Sequence, residues 1–427
     1  MSSAEIKEAG GVYTLFWDTE VVSIRLDRLV EDSKFTVTGE ILVRLANKHV
    51  HQARMNLTST QARAAVVRQC QERHPSESID WNSFIEEASI VVLELFRAGP
   101  EAIDFTDYHP PMRSKFRLTP FLLDNEPNLF FGPGGSGKSY LAAFVAAHIS
   151  KGYVDQDGIE VEKAKVLYLD YETGPEEIYQ RMTSVQRGLG MDSMPEIIYH
   201  PSSHPLASEI SKIQRMVAEH DIELVIVDSV GYACGGEPET AVNALAYYNA
   251  LRQLNTTSLS IGHVSKDRQS TTPFGSVFWV NGARHVWEVV RSQEAGDNHF
   301  SVGILNRKIN NGPLMLPVGY KLSFENDAVY FDLQDVKMIG EAEEKLPLKE
   351  RMVYLLQEHE LLEVKDIAAM LERAEGTVRK TLHRHPATFF QYKNGSGPVA
   401  WKLNGSDVAV TYEDEDIFGP AHDVGEV

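Results

Sequence analysis

The stretch Gly132-Pro133-Gly134-Gly135-Ser136-Gly137-Lys138-Ser139 constrains this chain more than any other. It fits the spacing Gly-x-x-x-x-Gly-Lys-Ser/Thr of a loop that wraps a phosphate. Gly132, Gly134, Gly135 and Gly137, with Ser136 among them, let successive backbone N–H groups converge on an anion. Lys138 is spaced to reach the β- and γ-phosphates, and the Ser139 hydroxyl to sit on Mg²⁺. Tyr140 follows as the last cofactor-binding candidate. The flanks agree. Leu129-Phe130-Phe131 reads as a short buried strand, and residues 139–149 as a helix whose N-terminus points at the phosphates.

Downstream, strands and helices alternate over residues 128–340, as a parallel α/β sheet requires. Three strands, the first two of them apolar runs, end in polar groups, at the strand edge where open α/β sheets bind ligands. Lys165-Val-Leu-Tyr-Leu-Asp-Tyr-Glu172 ends in acids. Glu172 is the candidate to orient an attacking water, with Asp170 the runner-up that strand alternation should turn away. Glu223-Leu-Val-Ile-Val-Asp228 supplies a carboxylate for the Mg²⁺ shell opposite Ser139. Ser258-Leu-Ser-Ile-Gly-His263 places a histidine where a γ-phosphate sensor would stand; a core histidine is the alternative. Lys266 and Arg268, in the polar loop that follows, are candidates to hold the phosphates of a nucleic-acid strand. Arg307 and Lys308 lie in a strand running into a basic turn, where a cation could complete a neighbour's site; a solvated hairpin tip is the alternative.

The formal net charge of −20 excludes a wholesale nucleic-acid coat and requires local basic patches for any such contact. Cys70 and Cys234 lie far apart without metal-ligand spacing, which suits a reducing cytosol. The N-terminus carries no apolar signal region and no run is long enough to span a bilayer, so a cytoplasmic protein without membrane contact is expected.

Residues 1–100 read as an α+β domain, a meander from residue 12 to about 57 and then two helices. Thr58-Ser-Thr-Gln61 resembles a capping box, and Asp80 caps the second helix. An assembly or docking module is the expectation; Arg25, Arg28, Arg44, Lys48 and Arg54, interrupted by acids, are the alternative route to nucleic acid. Residues 101–127, with His109-Pro-Pro, read as a linker. Residues 347–404 read as a winged helix-turn-helix, with 375–385 the recognition helix carrying Arg379, Lys380 and Arg384 toward a major groove. A protein-docking winged helix is the alternative. The tail, 405–427, is acidic and reads as disordered.

The order of the motifs is more specific than any one of them. Phosphate loop, Tyr-Glu strand, Ile-Val-Asp-Ser strand, Gly-His-Val-Ser-Lys strand and a basic Asn-Gly-Pro hairpin follow in sequence. Together they resemble the RecA-like ATPases, especially the plasmid and phage RepA-type branch beside the DnaB-type hexameric helicases, over residues 120–335. The resemblance implies ATP and Mg²⁺ as cofactors, Lys138 and Ser139 on nucleotide and metal, Glu172 as the catalytic glutamate, Asp228 as the metal aspartate and His263 as the sensor. It implies a ring, mostly a hexamer, with ATP between subunits, single-stranded DNA in the channel and Lys308 acting in trans. DnaB-type chains carry Lys-x-Arg-Asn-Gly-Pro there. This one carries Lys308-Ile-Asn310-Asn-Gly-Pro, which leaves Arg307, Arg284 and Lys308 as alternatives for the finger. The expected function is an ATP-hydrolysing motor on DNA, a RepA-type replicative helicase of a mobile element. The alternative is an ATP-switched DNA-binding regulator or initiator.

Overall fold

The computed structural model describes residues 4–18, 21–75, 79–99, 104–106, 108–109, 115–152, 159–264, 272–310, 312–393 and 399–404. Lys266, Arg268 and the tail 405–427 lie outside them, as does most of 101–114.

The chain begins with an antiparallel meander, β1 (Glu5–Ala9), β2 (Val12–Trp17), β3 (Val22–Glu31), β4 (Val37–Leu45) and β5 (Lys48–Asn56). Two helices follow, α1 (Thr60–Arg73) and α2 (Trp81–Ala98). β3 explains the layering. Val22, Ile24 and Leu26 point into a core with Trp81, Phe84 and Val92 of α2, while Arg25 and Asp27 alternate to the opposite face. The α1 cap sits one residue later than the capping box predicts: the Ser59 side chain accepts from Ala62 N, and Thr58 turns to Asn56. Asp80 caps α2 as expected, accepting from Ser83 N at 3.2 Å.

The segment 101–127, expected to be a linker, is part of the core from residue 115 on. β6 (Phe116–Leu118) and β7 (Leu122–Leu123) form a small hairpin. Leu118, Phe121, Leu122 and Leu123 are buried, and buried Arg117 pairs with Asp124.

A nine-stranded sheet follows, in the order β10-β9-β11-β12-β8-β13-β14-β15-β16. Its elements in chain order are β8 (Pro127–Gly132), α3 (Lys138–Lys151), β9 (Val166–Asp170), α4 (Pro175–Gly188), β10 (Ile197–Pro201), α5 (Leu206–His220), β11 (Leu224–Asp228), α6 (Val230–Ala233), α7 (Ala241–Leu254), β12 (Thr257–His263), α8 (Val277–Gly282), β13 (His285–Ser292), β14 (His299–Ile309), β15 (Val318–Glu325) and β16 (Ala328–Leu333). The first six strands in sheet order are parallel and the last three antiparallel. The parallel strands read as continuous apolar runs because both faces are covered. In β11, Leu224 and Ile226 pack toward α3 and α4, whereas Val225 and Val227 pack toward α5 and α7.

The N-terminal sheet docks on α5 through charge. Arg215 donates to Asp27 at 2.6 Å and to Glu40 at 2.7 Å. Arg25 pairs with Glu219 and Asp27, and Lys7 with Asp221. Arg25 and Arg28 (the latter on Glu40) are therefore committed to carboxylates rather than free for nucleic acid.

After β16 come α9 (Gly340–Glu344), α10 (Leu348–His359), β17 (Leu362–Glu363), α11 (Val364–Met370), α12 (Glu375–Arg384), β18 (Phe389–Lys393) and β19 (Val399–Leu403). The last three strands form a sheet in the order β17-β19-β18. This is the winged helix expected, closed over Met352, Leu356, Ile367, Val378, Leu382 and Trp401. The fold class read from the sequence is thus the one observed, an α/β P-loop core between an α+β unit and a winged helix. Among the described residues, no helix is long and apolar enough to cross a membrane.

Candidate active site

Four parallel strands end side by side, and their C-terminal ends build the site. Asp228 ending β11 stands beside Asp170 ending β9, and His263 ending β12 stands beside Gly132 ending β8. β12 therefore lies between the phosphate-loop strand and the Asp228 strand. Gly132 is the point of closest approach: a Cβ there would collide with the Val289 carbonyl of β13. Gly135 and Gly137 hold φ of 72° and 90°, which favours glycine.

Lys138 is buried, and its Nζ donates to the carbonyls of Gly132 at 2.9 Å and Pro133 at 2.7 Å. Burial pushes its ammonium down to about 8, opposed by the charges of Asp228 and Glu172. Asp228 is also buried, accepts from the Tyr168 hydroxyl at 2.7 Å, and has its carboxyl pushed up by desolvation. A hydrogen bond links it to Ser139. A buried carboxylate beside one hydroxyl is a sparse all-oxygen donor set. It fits Mg²⁺, which keeps waters and takes its other ligands from phosphates. The described residues hold no group of three or more side chains that would form a complete metal cage.

Asp170 explains how Glu172 is presented. Its carboxylate accepts from Glu172 N at 3.0 Å, Thr173 N at 3.1 Å and the Tyr199 hydroxyl at 3.0 Å. It clasps the turn at the strand end; although it shares a sheet face with its register partner Asp228, it is held by these amides and by Tyr199 of β10 and lies outside the cleft for that reason rather than by alternation. Glu172 lies within 3.7 Å of His263 Nε2. That histidine beside it holds the Glu172 carboxyl below its ordinary range, against the opposing effect of burial.

The cleft, of about 310 Å³, is lined by Lys138, Ser139, Tyr140, Glu172, Asp228 and His263 together with Arg181 and Arg291. Sequence reasoning missed the two arginines. Arg291 donates to the Gly135 carbonyl and lies 4.0 Å from the centre of the Phe300 ring. Arg181 pairs with Glu177 at 2.6 Å and lies 5.3 Å from the Tyr140 ring centre, with its Nε buried and without a hydrogen-bond partner among the described residues. The helical step from Glu177 to Arg181 was a usable signal; Arg291 had none. A second cleft adjoins the first through Tyr140, Glu177 and Arg181, and Tyr179, Gln180 and Arg187 line it.

The structure does not bring Arg307 or Lys308 into this cleft. Arg307 pairs with buried Glu288 at 2.8 Å and donates to the Lys345 carbonyl. Lys308 donates to the carbonyls of Val280, Asn281 and Ala283, capping α8. Arg284 is more exposed, 3.7 Å from Glu126. Farther along, Arg379, Lys380 and Arg384 all lie on the exposed side of α12, while Val378 and Leu382 face the core.

These residues make a P-loop ATPase domain joined to a helix-turn-helix. Comparison with known proteins agrees on both parts. Residues 97–269 match the family described as AAA domain, and residues 337–384 match Sigma-70, region 4. No curated protein sequence matches the chain. Among solved structures, a KaiC-like protein from the hyperthermophilic archaeon Pyrococcus horikoshii OT3 is similar at 14% identity and a TM-score of 0.38, over 52% of this chain and 100% of that one.

Proposed function

We propose that the chain is an ATP-hydrolysing motor that assembles into a ring on DNA, in the manner of a RepA-type replicative helicase. The observation that carries the reading is the convergence of Lys138, Ser139, Glu172, Asp228 and His263 on one cleft. Phosphates would seat in the loop, with Lys138 leaving its carbonyls for the β- and γ-oxygens. Ser139 and Asp228 would hold Mg²⁺, whose chemistry there is to offset charge on those oxygens. Glu172 orients a water and accepts its proton as the water's oxygen bonds the γ-phosphorus and the bridging P–O bond breaks. Arg181 and Arg291 add positive charge in cis, and the cleft past Tyr140 and Tyr179 offers ring faces to the base. With Arg307 and Lys308 engaged inside their own chain, Arg284 becomes the best-exposed candidate for a trans cation.

A second reading, an ATP-switched DNA-binding regulator, is favoured by the match of residues 337–384 to Sigma-70, region 4. The experiment that separates them measures ATP hydrolysis with single-stranded DNA, with duplex and with neither, alongside strand displacement on a fork. Stimulation by single strands with displacement is the expected result. Slow, unstimulated hydrolysis with sequence-specific duplex binding would overturn the motor and leave the regulator. Unstimulated hydrolysis with no binding to any DNA would remove both.

A further inference from the structure

The outer face of the wing hairpin has no role in anything described above. β18 and β19 pair with Phe390 opposite Lys402 and Tyr392 opposite Ala400. Alternation places Phe390, Tyr392 and Lys402 on one face, and Phe389, Trp401 and Leu403 on the other. The second set is buried in the winged-helix core. The first is open to solvent, Phe390 by 48% and Tyr392 by 37%. An antiparallel sheet with one wet face ordinarily puts polar side chains there. Here two rings flank one ammonium: Lys402 Nζ lies 5.6 Å from the Phe390 ring centre and 5.3 Å from that of Tyr392.

Three observations select the occupant. Ring faces beside a cation suit bases and the phosphates that join them. The hairpin is fused to the helix carrying Arg379, Lys380 and Arg384: Phe389 N donates to His385 O at 3.0 Å, and His383 packs edge-on to Trp401 at 5.0 Å. The carboxylate on this face, Glu363 opposite Ala400, is already paired with Lys365 at 3.0 Å. In a chain of net charge −20 this is a cationic, ring-bearing corner. Bases inside a duplex hide their faces in the stack, so the rings suit unpaired ones.

We propose that the outer face of β18–β19 is a stacking platform for unpaired nucleotides, so that the winged helix grips a junction, with α12 on the duplex and Phe390, Tyr392 and Lys402 on the first unpaired bases. The duplex half rests on the DNA reading of α12 given above; the platform does not.

The test uses the full chain and three labelled DNAs: a blunt duplex, the same duplex with a single-stranded thymine arm, and the thymine strand alone. The armed duplex is expected to bind about tenfold or more tighter than the blunt one. Phe390→Ala with Tyr392→Ala should erase that preference while leaving blunt-duplex affinity and DNA-free ATP hydrolysis unchanged. Both side chains are exposed, and Phe390→Trp should retain the preference. Photo-crosslinking of the arm should map to residues 389–393. Equal binding of armed and blunt duplex by the unmodified chain overturns the proposal, as does a preference that survives the double substitution. A double variant that alters self-association but not DNA binding makes the face a protein interface instead. Arm-dependent binding with no blunt-duplex affinity would sink the duplex reading of α12 and keep the platform.

Discussion

Lys138 already has oxygen partners before any phosphate arrives, and its lowered pKa makes that testable. Below about pH 8 the ammonium is charged in both free and liganded protein. Above it the free protein loses the proton, and binding a polyanion must take it back. Nucleotide affinity should then fall by up to about tenfold per pH unit. In Lys138→Arg, where the guanidinium stays charged, this dependence should vanish; calorimetric titration across that range checks it. Lys138→Ala should abolish hydrolysis. Glu172→Gln should keep nucleotide binding and reduce phosphate release about 100-fold or more, read by single-turnover kinetics beside a binding isotherm. Because His263 holds the Glu172 carboxyl low, the base form persists into mild acid and is lost as pH falls through that lowered value. His263→Ala should therefore move the acidic limb of the rate profile upward.

At the scale of elements, the strands that build the site were legible from buried positions followed by a polar stop: Leu224–Asp228 as a continuous apolar run, Thr257–His263 through Leu259 and Ile261. Asp170 stays out of the cleft because the turn amides and Tyr199 hold it, which alternation alone does not give. The hairpin at 116–123 was not legible. Its strands are too short to show a period, and the preceding His109-Pro-Pro suggested a connector. Arg291 was invisible for another reason. It reaches the phosphate loop only because β13 lies beside β8 while β14 folds back with a register shift near Val286 and Trp287. Pairing of that kind leaves no trace in local sequence. Where elements touch, backbone contact sets tolerance. At Gly188 of α4 a Cβ would strike the Val329 carbonyl of β16. Gly188→Ala should lower the melting temperature although alanine is the better helix former, as a thermal scan would show.

At the scale of the whole molecule, the site and α12 stand on different units, so their losses should separate. Arg379→Ala with Arg384→Ala is expected to weaken duplex binding and flatten its salt dependence, yet spare DNA-free hydrolysis; anisotropy at two salt concentrations beside a phosphate assay tests this. If a neighbour's cation completes the site, specific activity should rise with protein concentration, and Arg284→Ala should lower the plateau. The N-terminal unit is held to α5 by ions rather than by a shared apolar core. Arg215→Ala would leave buried Asp27 with Arg25 as its remaining partner and should cost about 1–2 kcal/mol in chemical unfolding. The four ion contacts at this joint are unequal. Arg215–Asp27 is shielded, while Lys7–Asp221 lies open to solvent with its side chains 61% and 56% exposed. Dissolved salt screens the open pair and leaves the shielded one. Added salt is therefore expected to loosen this joint at its open edge first, with the shielded pair still holding; a change in small-angle scattering at salt concentrations that leave the melting temperature unmoved is the outcome that checks it.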